Sequence, residues 1–332
     1  MPTAQGTPRR LPLPAGEHIT LREFAPADAS TKVRGAVVIG GAMGVPQRFY
    51  APFAAWLAQQ GWRVTTFDYL GMGESWPAGR SLRHCRADLV DWATHYQAAI
   101  DSARAAQADG PLLLLGHSLG AQLPGLLTDK SAVDGLVSVA SGSGYRGENA
   151  PALRRKLPIF WGLAVPLLTP LVGYFPGQRL RMVGDLPRGV ILQWRKWCQH
   201  PHYMVGAEGA AVRARYEQVR FPIYALSVDD DEMMTLQGTH SLMGFYPHAP
   251  RRIERLAAAQ VGAARVGHFG LFKPRFQPDV WPLLARTLAD WPQAVGHGGD
   301  VRVAAPVQPV SATPHVQLPA VRQATATAAP AH

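Results

Sequence analysis

Hydrophobic positions along the chain follow two periods, one typical of strands and one typical of amphipathic helices. The clearest strand is the run of four leucines at 112–115, which is too short for a buried helix and suits a strand covered on both faces. Other short apolar runs predict strands at 18–24, 33–39, 62–67, 135–140, 221–228 and 251–256. Amphipathic patterns predict helices at 46–60, 81–106 and 281–291.

The alternation of strands and helices predicts a parallel sheet with helices on both faces. Ligands of such sheets bind beyond the carboxyl ends of the strands. Two glycine-rich turns fall at that edge: 40–44, which follows the first buried strand, and 116–120, which follows the leucine strand. We therefore expect the two turns to lie close together.

The turn at 116–120 reads Gly-His-Ser-Leu-Gly and stands between a strand and a helix. Flanking glycines leave room for the backbone to close around a side chain that is pushed out of the sheet. Ser118, at the start of the following helix, is therefore a candidate nucleophile. The alternative is a glycine-rich turn that contains a serine by chance.

Composition is typical of a globular protein, since 47% of the 332 residues are hydrophobic and 17% are charged. The chain contains two cysteines, Cys85 and Cys198, and no disulfide framework is expected. The first residues include two arginines but no apolar segment after them, which does not match a signal peptide. We expect a cytoplasmic location.

The formal net charge of +10 is concentrated in one segment. Residues 145–215 contain eleven lysines or arginines and three acidic residues. No nucleic-acid-binding motif accompanies these arginines, so no nucleic-acid partner is expected. An anionic ligand, a membrane surface and a solvated basic face all remain open as explanations.

Three motifs resemble those of the α/β-hydrolase superfamily: GHSLG after the leucine strand, GGAMG after an earlier strand, and DYLGMGES between them. The resemblance extends from about residue 18 to residue 290. Further stretches, GSGYRG, GYFPG, LPRGVILQW and VGHFGLF, are similar to a bacterial subfamily of predicted hydrolases near the serine aminopeptidase-like group. The resemblance implies an α/β-hydrolase fold, a helical cap insertion and a catalytic triad.

This resemblance also divides the chain. Residues 1–144 and 216–291 are expected to form the two halves of the hydrolase core, and 145–215, where the alternation breaks, are expected to form the cap. Residues 292–332 contain mainly Ala, Pro, Val, Gln and Thr, and we expect a disordered tail.

A serine nucleophile needs a histidine base and a carboxylate, and in this fold the acid precedes the histidine along the chain. Four acidic residues, 229–232, follow the strand at 221–228. The resemblance places the triad acid at Asp231, with Asp230 as the competitor. Alternatively, the cluster is a solvated turn or a helix N-terminus.

The expected base is His268, which lies in a glycine-flanked loop after the last strand. His240 and His248 lack this setting. His117 adjoins the nucleophile, and its side chain is expected to point away from it.

The oxyanion of the tetrahedral intermediate needs two N–H donors. Leu119, directly after the nucleophile, is one candidate. By resemblance the second lies in 40–44, at Ala42 or, next to it, at Met43. Many relatives carry a His-Gly pair in this loop, whereas this chain has Gly40 and Gly41.

The sequence lacks the residues and motifs that several other reaction types require. Serine at the elbow argues against hydrolases that form an ester on aspartate, and the cysteines and histidines do not have metal-ligand spacing. No phosphate-binding GxxxxGK[ST] loop occurs, so no metal and no cofactor are expected. Asp68 and the following Gly71, Gly73 and Ser75 are interpreted as structural.

The segment 157–175 contains no charged residue and is flanked by basic residues on both sides. It suits a cap that lines an apolar acyl site, a lid that rests on a membrane, or a membrane span interrupted by three prolines. Under the first interpretation the substrate contacts come from the cap and the 40–44 loop, with Trp194 and Trp197 nearby. The expected contacts are Met43, Phe160, Trp161, Leu167 and Tyr174.

The sequence therefore predicts a serine hydrolase that cleaves esters or thioesters with an apolar acyl group, with water as the second substrate. An amidase or aminopeptidase is the first alternative, although the basic cap does not favour recognition of a peptide amine. The second is a membrane-associated protein that keeps the fold without turnover. The partner is a small acyl molecule, peripheral contact between the cap and a membrane stays open, and the oligomeric state is undetermined.

Overall fold

A mostly parallel sheet forms the centre of the computed structural model, which describes residues 5–14, 16–28, 30–180, 182–291, 293–295 and 301–303. Within these residues the strands of the large sheet follow the order β1-β2-β4-β3-β5-β6-β9-β10-β11, and β7 and β8 form a separate hairpin. The strands are β1 (Thr7–Pro12), β2 (His18–Phe24), β3 (Ala36–Gly40), β4 (Arg63–Phe67), β5 (Leu112–His117), β6 (Gly135–Val139), β7 (Tyr174–Phe175), β8 (Leu186–Pro187), β9 (Ile223–Val228), β10 (Arg251–Leu256) and β11 (Val301–Val303).

The helices lie on both faces of the sheet, as the alternating pattern predicts. They are α1 (Ala51–Gln59), α2 (Leu89–Ala106), α3 (Leu119–Gln122), α4 (Pro151–Arg154), α5 (Leu157–Ile159), α6 (Val165–Val172), α7 (Arg188–Gln199), α8 (Tyr203–Ala207), α9 (Ala210–Glu217), α10 (Leu236–Gly244) and α11 (Trp281–Ala289). One π-helical turn, Phe160–Ala164, joins α5 to α6.

The leucine strand β5 divides the hydrophobic core into two layers because successive side chains of a strand point to opposite faces. Leu112 and Leu114 pack in a cluster with side chains of α2, whereas Leu113 and Leu115 pack with side chains of α1 and α11. All four leucines are fully buried. The uninterrupted apolar run is thus explained by a strand with helices on both sides.

The register of the central strands brings the two glycine-rich turns together. β3 and β5 are parallel neighbours, and Gly40 is paired with Gly116. The chain therefore leaves both strands at the same edge of the sheet, as predicted.

The segment between β6 and β9, which contains residues 145–215, leaves the sheet and folds as helices α4 to α9 and the β7–β8 hairpin. We call residues 145–215 the insertion. The apolar segment 157–175 forms the helical stretch 157–172 and then β7. Among the described residues, none of the helices combines the length and the hydropathy that crossing a bilayer requires.

Two features of the sheet differ from the sequence analysis. β1 was not predicted, because its sequence contains only one large hydrophobic residue, Leu11, and shows no alternation of apolar and polar positions. It forms an edge strand that pairs antiparallel with β2. β11 lies in the segment expected to be disordered and pairs in parallel with β10. The rest of that expected tail, from 304 onward, lies outside the described residues.

Candidate active site

Ser118 occupies a strained turn between β5 and α3. Its backbone has φ 51° and ψ −113°, a combination that residues with a Cβ rarely adopt. The turn is held by three hydrogen bonds: Ser118 N–H donates to Val139 O (3.0 Å), and Ser118 O accepts from Ala121 N (3.0 Å) and from the Ser141 hydroxyl (2.7 Å). This geometry matches the nucleophile elbow that the sequence predicted.

The flanking glycines are required by close backbone contacts. A Cβ on Gly116 would lie 2.5 Å from Gly120 O, and a Cβ on Gly120 would overlap Gly40 O of the neighbouring strand. Only glycine therefore allows the turn to close this tightly on β3 and α3.

His268 forms a buried pair with Asp231. His268 Nδ1 lies 2.8 Å from Oδ2 and 3.1 Å from Oδ1 of the carboxylate, and the side chains are both buried. The carboxylate Oδ1 also accepts hydrogen bonds from Met233 N (2.7 Å) and Met234 N (2.8 Å). Because the carboxylate accepts from Nδ1–H, Nε2 of the neutral imidazole is left as a proton acceptor.

The neighbouring acids hold the backbone of the histidine loop. Asp230 accepts hydrogen bonds from Val266 N (2.8 Å) and Gly267 N (2.7 Å), and Glu232 accepts one from His268 N (3.0 Å). Burial acts to raise the pKa of Glu232, but the hydrogen bond from His268 N and the nearby Arg265 guanidinium help to lower it below its usual value. The acidic cluster is therefore divided between one carboxylate on the imidazole and two on the loop backbone.

His117 is buried beside the nucleophile and does not face it. Its Nε2 lies 3.0 Å from His268 O, which can only accept, so Nε2 carries the proton and Nδ1 accepts from the Tyr50 hydroxyl at 2.8 Å. Burial lowers the pKa of His117 well below its usual value, and the neighbouring His268 adds to this shift. His117 is thus a neutral structural residue.

Tyr50 also changes the assignment of the oxyanion donors. The Tyr50 hydroxyl accepts a hydrogen bond from Ala42 N at 2.8 Å, so this N–H is already used. Ala42 therefore does not fit the donor role expected for it. Met43 N, the adjacent alternative, and Leu119 N, at the first position of α3, make no hydrogen bond within the described part of the chain.

Ser118 and His268 line one cavity of about 280 Å³ at the carboxyl edge of the sheet. We call it the site cavity. Met43 and Leu119 also contribute to its wall, as predicted from the two turns. The insertion covers it with Met182, Val183, Gly184 and Trp194.

A second cavity of about 310 Å³ adjoins the site cavity and is lined mainly by the insertion. We call it the cap cavity. Phe160 and Trp161, two of the expected substrate contacts, line this cavity. Five residues border both cavities: Met182, Val183, Trp194, Met233 and Met234.

Two predicted substrate contacts, Leu167 and Tyr174, border neither cavity. Leu167 is 58% exposed on the outer side of α6 because the inner side of that helix is occupied by Val165 and Thr169. Tyr174 lies in the β7–β8 hairpin and borders neither cavity. A charge-free segment does not show which of its sides faces the protein.

The loop after β4 is organised by Asp68, as the structural interpretation predicted. Its carboxylate accepts hydrogen bonds from Gln47 N (2.7 Å) and Glu74 N (2.8 Å), and its backbone O accepts one from the Ser75 hydroxyl (2.6 Å). Burial raises the pKa of Asp68. Asp68 borders neither cavity and serves to hold the loop beside the elbow.

Sequence reasoning missed several wall residues. Met182, Val183, Met233 and Met234 belong to no motif in the sequence. The same holds for Tyr50, which borders neither cavity but binds Ala42 N. A signal existed for the two methionines, because they directly follow the predicted acid and their N–H groups bind its carboxylate. Within the described residues, no group of His, Cys, Asp or Glu is arranged to hold a metal ion.

Comparisons with known proteins agree with this architecture. Residues 31–189 match the family model of serine aminopeptidase, S33. The comparison with curated protein sequences gives no match.

Solved structures with the same fold include a soluble variant of monoglyceride lipase from Saccharomyces cerevisiae, with 15% identity, coverage of 90% of this chain and 98% of that chain, and a TM-score of 0.60. A putative lipase from Acinetobacter baumannii has 16% identity, covers 88% and 92% of the two chains and has a TM-score of 0.53. The monoacylglycerol lipase of Paleococcus ferrophilus has 17% identity, covers 84% and 99%, and has a TM-score of 0.50.

The sheet, the elbow and these similarities define the class of protein: the chain has the α/β-hydrolase fold. Within this fold, residues 31–189 are similar to the serine aminopeptidase S33 family.

Proposed function

We propose that the protein is a serine hydrolase that cleaves carboxylic esters or thioesters with an apolar acyl group. The observation that carries this proposal is the position of the buried Asp231–His268 pair on the same cavity as Ser118. The three residues occur in the chain order nucleophile, acid, base that this fold uses.

The reaction proceeds through an acyl-enzyme. Ser118 Oγ attacks the carbonyl carbon while His268 Nε2 takes the hydroxyl proton, and Asp231 stabilises the imidazolium that forms. The N–H groups of Leu119 and Met43 stabilise the oxyanion of the tetrahedral intermediate. When this intermediate collapses, the leaving alcohol or thiol takes the proton from His268. Water, deprotonated by His268, then attacks the acyl-enzyme and releases the carboxylic acid and Ser118.

The two cavities support an apolar acyl group. The cap cavity is lined by Leu153, Leu157, Phe160 and Trp161, and it shares five wall residues with the site cavity. An acyl chain bound to Ser118 would extend past Met233 and Trp194 into the cap cavity, where each buried methylene contributes about 0.8 kcal/mol.

Esters are favoured over peptides by the charges at the site. No acidic residue occurs among the described residues that border either cavity, and Lys156 is the charged residue of the cap cavity. A free peptide amine would therefore meet no carboxylate and would face a like charge. The similarity to serine aminopeptidase supports the second candidate, an amidase or aminopeptidase.

A fluorophosphonate probe tests the nucleophile. We expect the parent protein to be labelled and Ser118→Ala to be unlabelled. Ser131→Ala, at an exposed serine that borders neither cavity, is the control and should be labelled as the parent is. An unlabelled parent would instead support a hydrolase-fold protein without turnover. Rates on p-nitrophenyl esters and on aminoacyl-nitroanilides then distinguish the esterase from the aminopeptidase.

The acyl site is tested by comparing an inner and an outer residue of the same helical stretch. Trp161→Ala should raise KM for p-nitrophenyl decanoate about tenfold or more and leave the acetate ester unchanged, because only the longer chain reaches the cap cavity. Leu167→Ala, on the exposed side, is the matched control and should change neither. Equal effects of the two substitutions on both esters would contradict the assignment.

A further inference from the structure

The helical stretch 157–172 presents an uncovered row of large apolar side chains. Ile159, Leu163, Leu167 and Leu171 are 67%, 55%, 58% and 82% exposed. Their spacing of four residues keeps them on one side of α5, the π-helical turn and α6. We call these four residues the outer stripe.

The other side of the same stretch is buried. Phe160 and Trp161 line the cap cavity, and Val165 and Thr169 are fully buried. The helix is therefore apolar on both sides, although the fold covers only one. Contiguous exposed apolar residues of this kind mark an interaction surface.

Basic residues adjoin the outer stripe at its N-terminal end. Arg154, Arg155 and Lys156 are exposed, and none of them forms an ion pair within the described part of the chain. Leucines on one face of a helix with cations beside them are typical of segments that lie in the plane of an anionic membrane surface.

We propose that the outer stripe docks the protein on an anionic lipid surface. The leucines enter the boundary between headgroups and acyl chains, and the arginines bind the lipid phosphates. A second copy of this chain fits less well, because residues 149–184 of that copy contain no acidic residue that could pair with these cations. The docking does not depend on the proposed catalysis, but it explains how an apolar substrate would reach the site.

The cap cavity reaches the basic end of the outer stripe. Lys156, at the basic end of the stripe, lines the cap cavity and is exposed, and Met182, which borders both cavities, is 50% exposed. An ester dissolved in the membrane would therefore enter through the cap cavity without crossing bulk water.

Sedimentation with lipid vesicles tests the docking. The parent should bind vesicles that contain about one-third phosphatidylglycerol much more tightly than vesicles of phosphatidylcholine alone. Leu163→Gln combined with Leu167→Gln should lower the partition coefficient about tenfold or more. The matched control, Leu163→Met with Leu167→Met, keeps the apolar surface and should bind as the parent does.

The charge contribution is tested separately. Arg154→Gln with Arg155→Gln should lower binding to the anionic vesicles about fivefold for each arginine. Arg213→Gln with Arg286→Gln removes the same charge from helices α9 and α11 and should have a smaller effect. Equal losses for the two pairs would show a non-specific effect of net charge and would overturn the docking site.

The test is independent of turnover because vesicle binding is measured with Ser118→Ala as well. The glutamine variants should keep the parent's kcat/KM for p-nitrophenyl butyrate in solution, since the outer stripe does not border the cavities. Vesicle binding that survives the double leucine change would refute the proposal, as would a concentration-dependent dimer that disappears with that change.

Discussion

At the scale of single residues, the acidic cluster shows how neighbouring side chains of one type take different roles. Asp231 contacts the imidazole of His268, whereas Asp230 contacts the backbone of Val266 and Gly267. The sequence limits the acid to this cluster, and the resemblance favours Asp231 over Asp230. Which carboxylate reaches His268 is decided by how the chain turns after β9.

These contacts predict different results for two similar substitutions. Asp231→Asn should lower kcat about 10⁴-fold, because an amide donating to Nδ1 would stabilise the wrong tautomer of His268. Asp230→Asn loses part of two backbone hydrogen bonds and should lower kcat less than about tenfold. Steady-state kinetics on a soluble ester measures both. Equal losses would show that the cluster acts as one unit.

Tyr50 is a residue whose importance only the structure reveals. Its hydroxyl accepts from Ala42 N and donates to His117 Nδ1, and burial raises its pKa. The hydroxyl therefore connects the 40–44 turn to the residue before the nucleophile.

Tyr50→Phe should lower the free energy of unfolding by about 1–3 kcal/mol, because it leaves two buried polar groups without a partner. Urea denaturation measures the change. Tyr69→Phe is the control, since the buried Tyr69 hydroxyl makes no hydrogen bond within the described residues and its removal should cost little. A similar loss in both variants would argue against the proposed role of the Tyr50 hydroxyl.

At the scale of elements, the elbow depends on the close approach of β3, β5 and α3. The predicted strand and turn are confirmed, and the reason for the second glycine is the carbonyl oxygen of Gly40 on the adjacent strand. The motif is thus a requirement of tertiary packing that can be recognised in the sequence.

Gly120→Ala should destabilise the protein by about 1–3 kcal/mol and slow fluorophosphonate labelling of Ser118, because the added Cβ forces α3 away from β3 and moves Leu119 N. Gly244→Ala, where a Cβ meets no atom within 4 Å, is the matched control and should be neutral or slightly stabilising. Unchanged labelling of Ser118 in Gly120→Ala would contradict the requirement for close contact between Gly120 and Gly40 O.

The helical stretch 157–172 shows where pattern analysis stops. An apolar run without charges predicts burial, and Leu167 was accordingly expected to be inside. Burial on one side is confirmed for Phe160 and Trp161, but the fold supplies no cover for the outer stripe. A hydrophobic side chain indicates that an apolar environment is favourable, but it does not show whether the protein's own core or an external partner provides that environment.

At the scale of the whole molecule, buried histidines connect folding to pH. Burial lowers the pKa of His95 to about 4, and its Nδ1 makes no hydrogen bond within the described residues. In the unfolded chain this histidine binds a proton as the pH falls through about 6.5, whereas in the folded chain it stays neutral until about pH 4. The free energy of unfolding is therefore unaffected by this residue above about pH 6.5 and decreases as the pH falls below that value.

His95→Leu should therefore make the protein less sensitive to acid. Between pH 7 and pH 5 the free energy of unfolding of the parent should fall by about 2 kcal/mol more than that of the variant. Urea denaturation at the two pH values measures the difference. His84→Leu, at an exposed histidine, is the control and should leave the parent's pH dependence unchanged.

The sequence alone determined the layers of the sheet, the edge that carries the site, and Ser118, the acidic cluster and His268 as candidates, because periodicity and turn chemistry are local properties of the chain. The tertiary structure decided which carboxylate meets the imidazole, that Ala42 N–H is occupied by Tyr50, and which side of the 157–172 stretch is covered. These depend on distances between segments that are far apart along the chain, and no local pattern encodes such distances.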